Sequence, residues 1–454
     1  MKEKVKLTAN ILFSGIGCQE RGFENSGLFD IEVLNTSDIS KESVLSYAAI
    51  HCGLTNELVN TYENYPTREE MAQHLTDINL GYEPEKNKYF DWFKLTKKKT
   101  KDLEKYWLAC KLTNNLGDIS KIEELPYADF WTCSFPCTDI SIAGEMKGLN
   151  PGSGTRSSLL WDNIKLLHKA KNNGTLPKYI MFENVKNLVS KKFIGDFNDL
   201  IDVLGELGFN TYWEVINGKD CGIPQNRERV FVIAIRKDID TCEYDFPVPF
   251  DNGLRLKDVL EETVDDKYYL SVEAVSKFKY KEAGENVKQV GWLKKSENGT
   301  EHQSNMVYSE NGYARTLVAG EWKAPLKIMK QVGQLYGTDR EPNPQAGRVY
   351  DENGLSPTID SCSGGNRMPK ILENETDIQI RKLTPKECWK LMGLTFEDCE
   401  KAANIGVVDT HLYKQAGNGI ITNCVELLAE HLYKSQYDNT YVCSDENFRN
   451  PQAE

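Results

Sequence analysis

Ile11-Leu12-Phe13-Ser14-Gly15-Ile16-Gly17 decides the fold. A short apolar run stops at two glycines one residue apart, and a helical stretch through Phe23 follows. A second apolar run, Ile31-Glu32-Val33-Leu34, comes next, then a helix through Val44, Leu45, Tyr47 and Ala48. Apolar strands alternating with helices indicate βαβ units and a parallel sheet. The rhythm resumes at Phe130-Trp131-Thr132, Tyr179-Ile180-Met181-Phe182 and Val230-Phe231-Val232-Ile233-Ala234. The predicted class is α/β, a Rossmann-like domain with a mixed, mostly parallel sheet. Sites in such sheets gather at the carboxyl ends of the strands. The Gly15–Gly17 turn is therefore a candidate ligand cradle, although the third glycine of the dinucleotide fingerprint is missing. Asp38, at the end of the next strand, would suit a nucleoside ribose. A tight turn with no ligand is the alternative.

The 454 residues suffice for two or three domains. The composition, 40% apolar and 27% charged, is that of a globular protein. No apolar run approaches the ~20 residues of a membrane span, so no membrane association is expected. Met1-Lys2-Glu3-Lys4 leads into no apolar signal region, and the twelve cysteines read as free thiols of a reducing, cytoplasmic compartment. The net charge of −13 argues against a protein that coats nucleic acid over its whole surface. That charge is segregated. Residues 287–372 hold eleven basic and nine acidic residues, a net of +2, which leaves −15 on the remainder. This is the direction expected if the segment faces a polyanion.

Two stretches interrupt the α/β pattern. Residues 59–115 are rich in Asn, Lys and Tyr and are predicted to be a mostly helical insertion. Its basic run, Lys94 to Lys105, reads as a solvated helix face, with DNA phosphates as the alternative. From about residue 249 the chain turns β-rich and contains a duplication. Gln289-Val290-Gly291, Val307-Tyr308, Glu310-Asn311-Gly312 and Thr316 recur 42 residues later as Gln331-Val332-Gly333, Val349-Tyr350, Glu352-Asn353-Gly354 and Thr358. Two tandem β-rich units, 289–330 and 331–372, are expected. Helix returns between Leu383 and Tyr433, with Thr422 as the expected N-cap and Val425, Leu428 and Leu432 on one face.

Further chemistry-bearing groups punctuate the strands. Ser134-Phe135-Pro136-Cys137 follows a strand end, where a nucleophile would stand, although a thiol with pKa near ~8.5 needs activation. In isolation, a small buried apolar cysteine is the simpler reading. Phe182-Glu183-Asn184-Val185 ends another strand with a carboxylate and an amide. Gln225-Asn226-Arg227-Glu228-Arg229 places two guanidinium groups two residues apart. Taken singly, Glu183 could serve as an N-cap and the arginines as a surface ladder.

The order of these blocks, continued by Arg381-Lys382-Leu383-Thr384 with Glu387, Leu391-Met392-Gly393 and Gln415-Ala416-Gly417-Asn418, resembles the DNA cytosine-5 methyltransferase family of bacterial or phage type. The resemblance implies methyl transfer from S-adenosyl-L-methionine to C5 of a cytosine flipped out of the duplex. Cys137 would add to C6, with Pro136 and Asn184 beside it, and Glu183 would protonate N3. Arg227 would hold the base, with Arg229 in support. For the cofactor it implies Phe13, Gly15, Ile16 and Gly17, then Asp38 and Ile39 at the ribose, Asp118 and Ile119 at the adenine, and Leu160 and Asn418 at the pocket walls. No metal site is implied. The Gly-rich stretch from Gly144 to Gly154 would be the family's mobile loop, and DNA contacts are expected from Arg156 and Thr138 on either side of it and from Arg315, Arg348 and Arg367.

The implied organisation is a catalytic, cofactor-binding domain from 1–248 and 379–454, and a target recognition domain from 249–378. The implied partners are double-stranded DNA and a cognate restriction endonuclease acting on the same site. The implied role is restriction–modification or DNA protection, as a monomer in the cytoplasm of a bacterium or of a phage-infected host. The chain departs from the family's usual pattern at Thr138, where glutamine is usual, at Asp38, where glutamate is usual, and in the length of the insertion. A cytosine-5 methyltransferase acting on RNA and a catalytically silent DNA-binding protein share parts of the pattern. The long duplicated segment favours DNA, and the joint presence of Cys137, Glu183, Arg227 and Asn418 favours an enzyme.

Overall fold

The computed structural model describes residues 3–83, 86–95, 99–136, 159–269, 289–292, 306–308, 331–334, 348–351, 356, 370–372 and 380–443. Strand β1 (Val5–Leu12) enters the glycine turn and helix α1 (Cys18–Ser26), and β2 (Phe29–Ser37) leads to α2 (Lys41–His51). The stretch that follows carries α3 (Asn56–Thr61), α4 (Arg68–Asp77) and α5 (Thr100–Leu112). Between α4 and α5 it adds a small antiparallel hairpin, β3 (Tyr82–Glu83) and β4 (Lys88–Tyr89). The lysines of its basic run are partly engaged: Lys94 pairs with Asp91, Lys101 with Glu104, and Lys105 donates to the Ile405 carbonyl.

The sheet continues with β5 (Phe130–Cys133), then α6 (Leu160–Asn172), β6 (Tyr179–Val185), α7 (Ile194–Leu207), β7 (Phe209–Asn217) and β8 (Glu228–Arg236). Its order is β2-β1-β5-β6-β8-β7, and only β8 runs against the others. The sheet is therefore mixed and mostly parallel. β7 is a strand that the apolar-run reading passed over. It lies at the sheet edge, and Asn210, Thr211, Glu214 and Asn217 interrupt its apolar positions.

Both faces of the sheet are buried, and the alternation of each strand divides its side chains between two cores. Tyr179 and Met181 join Leu7, Ala9 and Ile11 on the side covered by α1, α2 and the C-terminal helix. Ile180 and Phe182 join Trp131, Val230 and Val232 beneath Ile164 and Leu167 of α6 and Phe197, Leu200 and Leu204 of α7. Each fully buried Val, Leu, Ile, Phe or Met side chain among these contributes about 1.5–3 kcal/mol.

The duplicated segment forms two hairpins of equal register. β9 (Gln289–Trp292) pairs with β10 (Met306–Tyr308), and β11 (Gln331–Gln334) pairs with β12 (Arg348–Asp351), both antiparallel. Tyr308 faces Gln289 as Tyr350 faces Gln331, and Val307 faces Gly291 as Val349 faces Gly333. Each hairpin has its irregularity in the same place. β13 (Lys370–Leu372) and β14 (Ile380–Lys382) extend the second hairpin into a four-stranded sheet.

The chain then returns through α8 (Pro385–Lys390), α9 (Phe396–Asn404), α10 (Asp409–Asn418) and α11 (Thr422–Tyr437). Thr384 and Glu387 close a capping box on α8. Val425, Leu428 and Leu432 are buried as predicted. Thr422 is not the cap of α11. Ile421 holds that place, while the Thr422 hydroxyl donates to the Gly393 carbonyl at 3.0 Å, so the residue ties the helix to the preceding turn. α11 packs closely on α1, and the C-terminal segment thus completes the fold begun at the N-terminus. Among the described residues no helix is long and apolar enough to cross a membrane.

Candidate active site

The candidate site lies at the carboxyl ends of β1, β2, β5 and β6. The turn after β1 has three positive φ angles within five residues, at Phe13 (55°), Gly15 (54°) and Gly17 (81°). The two glycines do different work. A Cβ built on Gly15 meets nothing within 4 Å, whereas one on Gly17 would come within 2.2 Å of His51 Nε2. Gly15 therefore borders open space and Gly17 packs inward. The buried Ile16 lends its carbonyl to His51 Nε2 at 3.2 Å.

Asp38 stands opposite Gly15. Its Oδ2 accepts the Gly15 N–H at 2.9 Å and its Oδ1 the Ser40 N–H at 2.7 Å. Burial pushes the Asp38 carboxyl up to about 6 against the pull of those two amides. Asn115, which no sequence signal had singled out, clamps the Asp38 backbone by accepting from its N–H at 2.9 Å and donating to its carbonyl at 3.0 Å. The adjacent Ile39 carbonyl accepts from Gly81 and Tyr82 of the insertion. Asp118 caps a one-turn helix, Ile119–Lys121, and Ile119 is buried. Burial alone would raise the Asp118 carboxyl, but hydrogen bonds from Asn79, Tyr89 and Ser120 together hold it below the ordinary carboxylate value. Leu160, at the start of α6, is fully buried in the core that also holds Leu12, Ile119 and Phe135.

On the other side, β5 ends at Cys133, whose thiol is fully buried and pushed far up by that burial. Ser134, Phe135 and Pro136 follow. Cys137, Thr138, Arg156, Arg315 and Arg367 lie outside the described residues, and Arg348 is described only as a backbone position in β12. Asn184 Nδ2 donates to the Phe135 carbonyl at 3.1 Å and so anchors the segment that leads to Cys137. Glu183 is buried beside it. Burial raises its carboxyl above the ordinary value, opposed first by Arg229 and then by Arg227.

The two arginines are not equivalent. Arg229 Nε lies 3.1 Å from Glu183 Oε1. Arg227 is buried, and its Nη2 donates to the carbonyls of Gly417 and Gly419 at 2.9 and 2.8 Å. Asn418, exposed at the end of α10, sits between those two carbonyls. Arg227 thus fixes the Gly417–Gly419 turn, and Arg229 is the guanidinium paired with the buried carboxylate. Gln225, from the same block, donates to the Leu391 carbonyl at 2.7 Å, and Gln415 donates to the Glu42 carbonyl of α2 at 3.0 Å. The blocks recognised in the sequence are therefore stitched to one another in space.

A family model described as C-5 cytosine-specific DNA methylase matches residues 78–434. The chain belongs to that family. It is a DNA cytosine-5 methyltransferase by this membership. The chain is 35% identical over 428 residues to the type II methyltransferase M2.ScrFI of Lactococcus lactis subsp. cremoris, a match covering 93% of this chain and 98% of the relative. It is 28% identical over 536 residues to the orphan methyltransferase M.SPBetaI of Bacillus phage SPbeta, covering 96% and 98%. Among solved structures, the methyltransferase EhMeth of Entamoeba histolytica superposes with a TM-score of 0.52 at 13% identity, covering 95% of this chain and 99% of that one. This last likeness concerns the fold.

Proposed function

We propose that the methyltransferase acts on a cytosine flipped out of duplex DNA through a transient bond from Cys137 to C6, with Glu183 and Arg229 holding the base. The observation that carries this reading is the buried, raised Glu183 carboxyl paired with Arg229 at 3.1 Å, next to the amide that anchors the approach to Cys137. Cytosine C5 is a poor nucleophile. Addition of the Cys137 thiolate across C5=C6 pushes electrons toward N3, where a protonated Glu183 supplies a proton. Once C5 carries its methyl group, transfer of the C5 proton to water, expulsion of the sulfur as thiolate and return of the N3 proton to Glu183 restore the aromatic ring, the free thiolate and the protonated carboxyl. Arg229 confines Glu183 and offers its remaining N–H groups to the base, while Arg227 supports the site through the Gly417–Gly419 turn. C6 is out of reach of a thiol within the stack, so the base must leave it.

The residues present fit S-adenosyl-L-methionine. Gly15 leaves open space above the turn, and each Asp38 oxygen has accepted one backbone N–H, which leaves a lone pair on each for the two hydroxyls of a ribose. This double anchoring brings the shorter aspartate to its place where the family usually has glutamate. Asp118 and Ile119 would border the adenine, and Phe13 and Asn418 the rest of the pocket. When bound, the cofactor supplies an electrophilic methyl group for C5.

Residues 249–378 are proposed as the target recognition domain, with the two hairpins of equal register facing the major groove. A cognate endonuclease and a role in restriction–modification or DNA protection accord with relatives of both the type II and the orphan kind. Replacement of Cys137 by serine tests the mechanism. Cys137→Ser is expected to abolish methylation and covalent trapping on 5-fluorocytosine DNA while S-adenosylhomocysteine binding survives. An adduct trapped by the serine variant would overturn the assignment. Labelled methyl transfer to tRNA but not to duplex DNA would overturn the substrate.

A further inference from the structure

Asp118 has no acceptor position left. Its Oδ1 accepts the Ser120 N–H at 3.0 Å and the Ser120 hydroxyl at 2.8 Å. Its Oδ2 accepts Asn79 Nδ2 at 2.9 Å and the Tyr89 hydroxyl at 2.7 Å. A carboxylate offers about four lone-pair positions, so an exocyclic amine that is to bond with Asp118 must displace one of these donors.

The four donors are not equally fixed. The Ser120 pair belongs to the local cap of the 119–121 turn. Asn79 is held by its backbone. It has φ 55°, and on either side of it the Ile78 carbonyl accepts the Asp118 N–H at 3.0 Å and the Leu80 N–H donates to Leu75. Tyr89 differs from both. It lies on a two-residue strand of the insertion, the residue is 37% exposed, and rotation into solvent would break one hydrogen bond and a ring contact with Tyr82 at 5.2 Å. Meanwhile the hairpin is moored beside the proposed ribose site, where Gly81 and Tyr82 donate to the Ile39 carbonyl at 2.7 and 3.3 Å. The insertion thus reaches the pocket at both ends of the nucleoside.

We propose that Tyr89 holds the acceptor position on Asp118 that the adenine amine takes, and that its side chain swings off the carboxylate as the cofactor binds. The insertion thereby sets cofactor affinity and makes it depend on the amine. This inference rests on the reading of Asp118 as the adenine site.

The test is Tyr89→Phe in the full chain, with S-adenosylhomocysteine binding measured by titration calorimetry. Loss of the competing hydroxyl is expected to tighten binding about threefold to tenfold, the worth of one net hydrogen bond. The KM for S-adenosylmethionine should fall by a similar factor, with the change in KM rather than kcat. An analogue with hydrogen in place of the exocyclic amine should bind the variant and the wild type equally. Tyr65→Phe, which removes a hydroxyl bonded to the Val59 carbonyl elsewhere in the insertion, should not tighten binding. Equal or weaker binding by Tyr89→Phe, or the same gain with the amine-free analogue or in Tyr65→Phe, would overturn the inference. Failure of the wild type to bind S-adenosylhomocysteine at all would be a different result, since it would remove the cofactor reading itself.

Discussion

Arg229 and Glu183 face each other at 3.1 Å across the β6–β8 ladder. Glu183 pairs with Phe231 in that ladder, so Arg229 is its diagonal neighbour on the same face, within reach of a long side chain. The pair sits where buried strand ends meet. A carboxyl there is pulled toward protonation by burial and toward ionisation by the guanidinium.

That opposition yields a pH prediction. Glu183 must be protonated to serve N3, so single-turnover methylation should fall as pH rises through its pKa. Removing Arg229 takes away the largest influence that lowers this pKa. Arg229→Gln should therefore slow the reaction about a hundredfold, as loss of a positioned donor does, and move the descending limb of the pH profile to higher pH. A limb that stays in place or moves down would show that Glu183 is not the acid.

Arg227 should behave differently, because its Nη2 is committed to the Gly417 and Gly419 carbonyls. Hydrogen bonds from a charged group are worth about 1.5–3 kcal/mol, and their loss would leave buried carbonyls unpaired. Arg227→Ala is expected to cost about 3 kcal/mol of stability in urea denaturation. Arg229→Ala should cost far less stability while losing comparable activity. Equal destabilisation by the two variants would erase the distinction.

The division of labour between these arginines was not legible in the sequence. Residues two apart at a strand entrance are expected on one face, so spacing alone treats them alike, whereas Arg227 lies just before β8 and its role depends on the Gly417–Gly419 turn brought to it from nearly two hundred residues away. The parallel core was legible, since β5 and β6 are buried on both faces and open on apolar runs, and β1 announces itself by the apolar Ile11-Leu12 that enters the glycine turn. β7 was not, because an edge strand carries polar residues at positions a central strand would keep apolar. The duplication was visible in identities at one spacing, and it reappears as identical register. Asn79, Tyr89 and Asn115 gave no signal. Each acts through a single side chain folded back from an insertion whose composition only says that it is polar.

The glycine turn separates binding from folding. Alanine at Gly15 meets no neighbour, and its left-handed backbone costs about 1 kcal/mol. At Gly17 the same methyl group collides with His51, adding about 1–3 kcal/mol of overpacking. Gly15→Ala should therefore lower S-adenosylhomocysteine affinity at least tenfold, about 1.4 kcal/mol, while the melting temperature stays near that of the wild type. Gly17→Ala should lower the melting temperature markedly. Calorimetric titration with thermal denaturation of both variants decides this. Full cofactor affinity in Gly15→Ala would mean that the open space above the turn is not the pocket.

Behind that turn, Glu20 and His51 carry opposite pH dependences. Burial, the largest cause in each case, raises the Glu20 carboxyl from 4.5 to about 7 and lowers the His51 imidazole from 6.5 to about 4. Near pH 6 both are uncharged, so the 3.5 Å contact between His51 Nδ1 and Glu20 Oε2 is not an ion pair there. Between pH 4.5 and 7 the folded state holds a proton on Glu20 that the unfolded state has lost, so stability falls as pH rises. Between pH 4 and 6.5 the unfolded state holds a proton on His51 that the folded state lacks, so stability rises. Each limb is worth roughly 3 kcal/mol and the two nearly cancel. Glu20→Gln removes one limb. The variant's stability should climb by roughly 3 kcal/mol between pH 4 and 6.5, where the wild type's stays nearly flat, and its gain over the wild type should build up from pH 4.5 to about 7. Urea midpoints of both proteins across that range measure the difference, and parallel curves would refute the opposed pair.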